Sequence, residues 1–220
     1  MGGHVVTSGG GVVAIDGPAG VGKSTLARRL AGYLGLRYVN TGLMYRALAR
    51  AALDRGVDPD DRTVLAALAR ELRFEVRPGS PPSLAAGEFR EPDLATAEVE
   101  EVVSAVSRHP EVRDALRAEQ RRLGRGAVVE GRDIGSVVFP DADVKIYLSG
   151  EESARAARRS RERGSMGRSL AEALARRDER DARTNPFVPA SDAREVDTTG
   201  KDADRVFAEV RDIVRETLGR

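Results

Sequence analysis

The chain has 220 residues, 40% of them hydrophobic, which suffices for one core of moderate size. Its 36 basic and 35 acidic side chains leave a net charge of +1, so composition makes no case for nucleic acid or a membrane surface as partner. With no cysteine and only two histidines, His4 and His109, it can form no disulfide, thiolate nucleophile or cysteine-ligated zinc, and a histidine metal site is not expected.

The opening "MGGHVVTSGG" lacks a basic region and a sustained apolar run, so residues 1–10 read as a flexible leader and not as a signal peptide. Val6 also stands where a myristoylation signal wants Ser or Thr. No segment approaches the roughly 20 apolar residues of a membrane span, and a cytoplasmic protein is the expectation. The strand candidates are "VVAI" at 12–15, "RYV" at 37–39, "AVVE" at 127–130, "VKIYL" at 144–148 and "REVDT" at 194–198. Amphipathic segments separate them, the pattern of an α/β fold with a parallel sheet covered by helices. Over 24–34, Leu26, Leu30 and Leu34 share one helix face and Gly35 follows as a stop. "SGEE" at 149–152 and "SLAE" at 169–172 fit the capping box, predicting helix starts near 150 and 170. Residues 78–93 are rich in Pro and Gly, and the stretch from about 60 to 125 reads as a non-sheet excursion, an inserted subdomain.

One short stretch carries specific chemistry. Gly17, Gly22, Lys23 and Ser24 match G-x-x-x-x-G-K-[ST], with an apolar strand running in and an amphipathic helix running out. In that context backbone N–H groups and a helix N-terminus converge on phosphate oxygens, and glycine lets the chain wrap close to the anion. Gly17, Pro18, Ala19, Gly20, Val21, Gly22, Lys23, Ser24 and Thr25 are thus the predicted nucleoside triphosphate-binding residues, the ATP site should the nucleotide be ATP, and the Ser24 hydroxyl is the expected Mg²⁺ ligand. Lysine occurs only at 23, 145 and 201, against 33 arginines. A compact ammonium fits inside the loop where a broad guanidinium would not, which gives Lys23 a physical reason in an arginine-rich chain.

The loop alone does not separate a kinase from a switch, a motor or a nucleotide sensor. In "NTGLMYRALA" at 40–49, Thr41 and Arg46 open a helix beside the sheet's C-terminal edge, either as cap and surface arginine or as ligand contacts. In "VVEGRDIG" at 128–135, a strand ends in Glu130, Gly131, Arg132 and Asp133, where an adjacent Arg and Asp read as an ion pair or as groups facing a ligand. Residues 151–183 hold ten arginines, Arg155, Arg158 and Arg159 among them, either as a solvated face or as part of a hinged helical lid around "GSMGRS". Arg177 and Asp181 stand four apart there, as a surface pair or as ligand contacts.

"IDGPAGVGKST", "NTGLMYRALA", "SAVSRHPEVR", "EGRDIGSVVFPDADVKIYL" and "RRDERD", in this order, resemble the bacterial cytidylate kinase family from about residue 11 onward, with "GRDIGSVVFPDA" the most discriminating block. The resemblance implies a single P-loop nucleoside monophosphate kinase domain over 11–220. That domain has a parallel sheet in a three-layer fold, a monophosphate-binding insert at 60–125 and a helical lid at 150–183. It implies Mg²⁺-dependent transfer of the ATP γ-phosphoryl group to CMP or dCMP. Thr41, Arg46 and Arg132 would then hold the acceptor phosphate, Ser104, Arg113 and Asp133 would read the base, and Arg177 and Asp181 would bind the ribose. Lys23 with Arg155, Arg158 and Arg159 would approach the transferring group. Apart from the resemblance, Glu130 closes a strand beside the loop and is the candidate to hold Mg²⁺ through water. Arg183 lies two residues beyond Asp181, where the family places its arginine three beyond, and is not carried over. A kinase for another small acceptor and an ATP-dependent regulatory protein are the competing readings. A monomer is the expected state.

Overall fold

The structure, a computed structural model, describes residues 11–87, 89, 91–163 and 188–219. The leader, the predicted hinge and second lid helix, and the candidates Arg177, Asp181 and Arg183 lie outside these residues, as does the side chain of Arg159.

The five apolar runs become β1 (Val13–Asp16), β2 (Arg37–Asn40), β5 (Ala127–Glu130), β6 (Val144–Ser149) and β7 (Arg194–Asp197). They stand side by side in the order β2-β5-β1-β6-β7, all parallel. β1 is central, with Val13 opposite Val128 on one side and Val144 on the other. Its residues alternate between the two faces. Val13 and Ile15 pack with Leu26, Leu30 and Leu34 of α1 (Lys23–Leu34) and with Val206, Val210 and Val214 of α7 (Ala203–Thr217). Val12 and Ala14 face the opposite core, built from α2 (Thr41–Asp54), α3 (Arg62–Glu71), α4 (Ala97–Ser107) and α5 (Pro110–Gly124). The result is three layers, helix on sheet on helix.

The chain runs from β1 out to β2, leaving a gap that β5 fills, and then places β6 and β7 on the other flank. The carboxyl end of β1 is therefore a switch point, where parallel sheets open a crevice for ligands.

The excursion is not free of sheet. β3 (Glu75–Arg77) and β4 (Ser83–Ala85) form an antiparallel hairpin, and β4 joins the edge of β2 in parallel through Tyr38 and Ser83. Pro78, Pro81 and Pro82 lie in the connection and leave both strands free to pair, so the proline-rich composition described the loop and hid the strands. The helix expected to start near 150 does start close by, at Glu152, with a different hydrogen bond at its head. Ser149 is the last residue of β6, α6 (Glu152–Arg163) starts three residues later, and the Glu151 N–H donates instead to Thr199 Oγ1 at 2.9 Å.

Candidate active site

The phosphate loop leaves β1 at Gly17, whose φ of 144° and whose backbone lie so close to β6 that a Cβ would stand 2.3 Å from the Leu148 carbonyl oxygen. Only glycine fits there. At the other end Gly22, with φ 92°, is the N-cap of α1 and brings no side chain to the first-turn N–H groups, which leaves them available to an anion. The carbonyl side of the loop is held by cations. Lys23 Nζ donates to Gly17 O and Pro18 O at 2.7 Å each, Arg155 Nη1 to Ala19 O at 3.1 Å, and Arg158 Nη1 to Gly20 O at 3.0 Å. Arg155 is buried and also bonds Gly150 O, while Arg158 reaches Thr198 O at 3.3 Å. The first turns of α6 thus clasp the outer side of the loop.

Beside Lys23 the end of β5 buries Glu130, 3% exposed. Burial pushes its carboxyl above the usual range, while the Lys23 ammonium and the hydroxyls of Tyr38 and Ser24 pull it back. Tyr38, on β2, donates its hydroxyl to Glu130 Oε1, and its own pKa is driven up by burial and by that carboxylate, so it keeps its proton. The oxygens of Ser24 and Glu130 thus meet at the head of α1. Hard oxygen donors of this kind suit Mg²⁺, which takes one or two protein ligands and completes its shell with phosphate and water. Among the described residues no group of three His, Asp or Glu side chains is placed to hold a metal alone.

At the end of β2, Asn40 caps α2 by accepting from the Leu43 N–H at 3.2 Å. Thr41 is therefore not the cap. Its Oγ1 donates to Glu130 O at 2.8 Å, fixing α2 to the end of β5. Gly131 lies in the same corner, where a Cβ would be 2.6 Å from Thr41 Oγ1. Arg46, one turn further along α2, pairs with Glu100 of α4 at 2.8 Å and donates to Leu94 O at 3.2 Å. Next to this helix a cleft of about 310 Å³ opens between Leu43 and the β3–β4 hairpin, lined in part by Arg77, Leu84, Ala86 and Phe89.

Asp133 pairs with Arg113 of α5 at 2.6 Å. Both partners are half-buried, 18% and 14% exposed. Arg132 is half-buried in the loop between β5 and the π turn Ile134–Val138, and Ser104 is half-buried on α4, which packs against α5. The structure thus joins two of the three predicted base readers directly and gathers Thr41, Arg132 and Glu130 at the end of β5. Sequence reasoning missed Asp16, Tyr38 and Glu100. Asp16 offered a signal, since an acid closing a strand of Val, Ala and Ile is out of character with the strand.

Residues 13–216 match the family described as cytidylate kinase. A cytidylate kinase from Acidiphilium cryptum is 44% identical over 220 residues, covering 95% of this chain and 97% of that one. One from Thermus thermophilus is 44% identical over 200 residues, covering 90% and 95%. A solved structure of an uncharacterized protein from Eubacterium ventriosum shares the fold, with a TM-score of 0.50 and 12% identity over 97% of this chain and 99% of that one. With its phosphate loop at the switch point of a parallel sheet and a profile match across nearly all of its length, the chain belongs to the cytidylate kinase family.

Proposed function

We propose that the protein transfers the γ-phosphoryl group of ATP to CMP or dCMP, giving ADP and CDP or dCDP. The observation that carries the choice of base is the Arg113–Asp133 pair on the acceptor side. Cytosine presents an N4 amino donor beside an N3 acceptor, so a carboxylate and a guanidinium held together answer both. Uracil reverses both groups and would leave each partner unmatched, at about 1 to 3 kcal/mol per buried group.

In this reading Lys23 and the N–H groups of Gly17 and of residues 19–24 hold the β- and γ-phosphates, while Arg155 and Arg158 keep the loop in shape from its carbonyl side. Mg²⁺, held by Ser24 and by Glu130 through water, would neutralise charge on the phosphates. The acceptor phosphate is largely a dianion near neutral pH, since its second pKa is about 6, so it attacks without a strong general base. One of its oxygens bonds to the γ-phosphorus as the bond to the β–γ bridging oxygen breaks, and ADP leaves with that electron pair. Arg46 and Arg132 hold the acceptor phosphate in line, Ser104 completes the base site and Arg177 and Asp181 take the ribose. The segment 60–125 serves as the acceptor-side insert and 150–183 as the lid, whose closure excludes water as a competing acceptor. The test is transfer from Mg-ATP to each monophosphate in turn. CDP formation with UMP a much poorer acceptor supports the proposal, and equal use of CMP and UMP contradicts it.

A further inference from the structure

Asp16 ends β1 immediately before Gly17, and its carboxylate is bonded to the turn that follows β5. Oδ1 accepts from the Ile134 N–H and Oδ2 from the Gly135 N–H, each at 2.7 Å. Asp16 is 8% exposed, and both of its oxygens accept from backbone donors. The two N–H groups open the turn directly after Asp133. That turn is wound wide, with Val138 N–H donating to Asp133 O and Phe139 N–H to Ile134 O across five residues. Its other flank is the Lys145 stem, against which a Cβ at Gly135 would stand 3.2 Å from Cγ and Cδ and 3.4 Å from Asp16 Oδ2. Lys145 is itself fixed by Asp192 at 2.8 Å. The turn is therefore clamped between the strand that carries the donor loop and the strand next to it.

We infer that Asp16 is a positioning residue, whose two hydrogen bonds set the Asp133 carboxylate in the acceptor site relative to the phosphate loop. The inference rests on the CMP kinase reading. An amide at position 16 would keep one carbonyl oxygen for one N–H and turn its own NH₂ toward the other, donor against donor, so the turn must shift. A displacement of about 1 Å in a positioning group is enough for large losses in use of the substrate it orients.

The experiment is steady-state kinetics on the wild type, Asp16→Asn and Gly135→Ala, varying CMP and Mg-ATP separately, with thermal unfolding of each variant. The expected result is a rise of about tenfold in KM for CMP in Asp16→Asn, with KM for ATP within about twofold of wild type. A smaller rise of the same selectivity is expected in Gly135→Ala, which presses the turn from the other side and carries the test should Asp16→Asn fail to fold. Equal rises for both substrates, or a lowered unfolding temperature with both KM values unchanged, would overturn the inference while wild type still makes CDP. A wild-type protein that makes no CDP would sink the acceptor reading itself, and the inference with it.

Discussion

Arg46 Nη2 lies 2.8 Å from Glu100 Oε1, with both side chains 17% exposed. A half-buried guanidinium next to a carboxylate is partly neutralised, and on the proposed function a phosphate dianion arriving at Arg46 would have to displace or share that partner. Glu100→Gln removes the competing charge and keeps the shape, so KM for CMP is expected to fall by about threefold or more, with KM for ATP unchanged and a steeper salt dependence. A higher KM for CMP would mean that Glu100 serves to aim Arg46.

The Arg113–Asp133 pair gives a specificity prediction. Asp133→Asn replaces an acceptor-only group with one that also donates, which suits uracil as well as cytosine. CMP use, measured as kcat/KM, is expected to drop by about 5- to 150-fold, in line with about 1 to 3 kcal/mol for a buried partner, while UMP use changes less. A CMP-to-UMP ratio that stays constant would remove Asp133 from base recognition.

Lys23 bonds both Gly17 O and Pro18 O from inside the loop. Lys23→Met is expected to lower kcat by at least about 100-fold, the scale of losing one preorganised charge at the reacting group. Lys23→Arg should fail nearly as badly, because a planar fork cannot occupy a wrap sized for an ammonium. Near-normal turnover in Lys23→Arg would show that charge alone suffices there.

Asp16 also makes a prediction about pH. Burial pushes its carboxyl from 3.8 up to about 6, with Asp133 adding to the rise and the N–H groups of Gly135 and Ile134 and the Lys23 ammonium opposing it. The native state therefore holds this proton longer than the unfolded chain does. The site's contribution is most favourable below the unfolded pKa and is lost as pH rises through about 6. Asp16→Asn has no proton to lose at this site, so wild-type stability relative to the variant should decline by about 3 kcal/mol across that window. Urea unfolding of both proteins over the acid range measures it, and a difference that does not change with pH would contradict the burial argument.

Much of the fold was legible because its determinants are local. The five core strands are apolar runs, and Leu26, Leu30, Leu34 and Gly35 mark α1 and its end. The phosphate loop was legible for the same reason, since Gly17, Gly22, Lys23 and Ser24 act within one turn of chain. What escaped depends on partners distant in sequence. Asp16 has its role through N–H groups 118 and 119 residues away, which every residue type except proline supplies and no pattern marks. Glu100 reads as a helix-surface acid until α4 packs on α2 and brings it to Arg46. Asn40 displaced Thr41 as cap because both are good capping residues, and only the hydrogen bond to Glu130 O shows which one the sheet needs elsewhere. Arg155 and Arg158 also donate to loop carbonyls, a contact for which sequence carries no code.

The most direct measurement of the central claim is product analysis after incubating the purified protein with Mg-ATP and, separately, CMP, dCMP, UMP, AMP, GMP or no acceptor. The expected result is rapid formation of ADP with CDP or dCDP, poor use of UMP, and little ATP loss without an acceptor. ATP binding without transfer to any monophosphate, or preferred transfer to AMP, GMP or UMP, would contradict it.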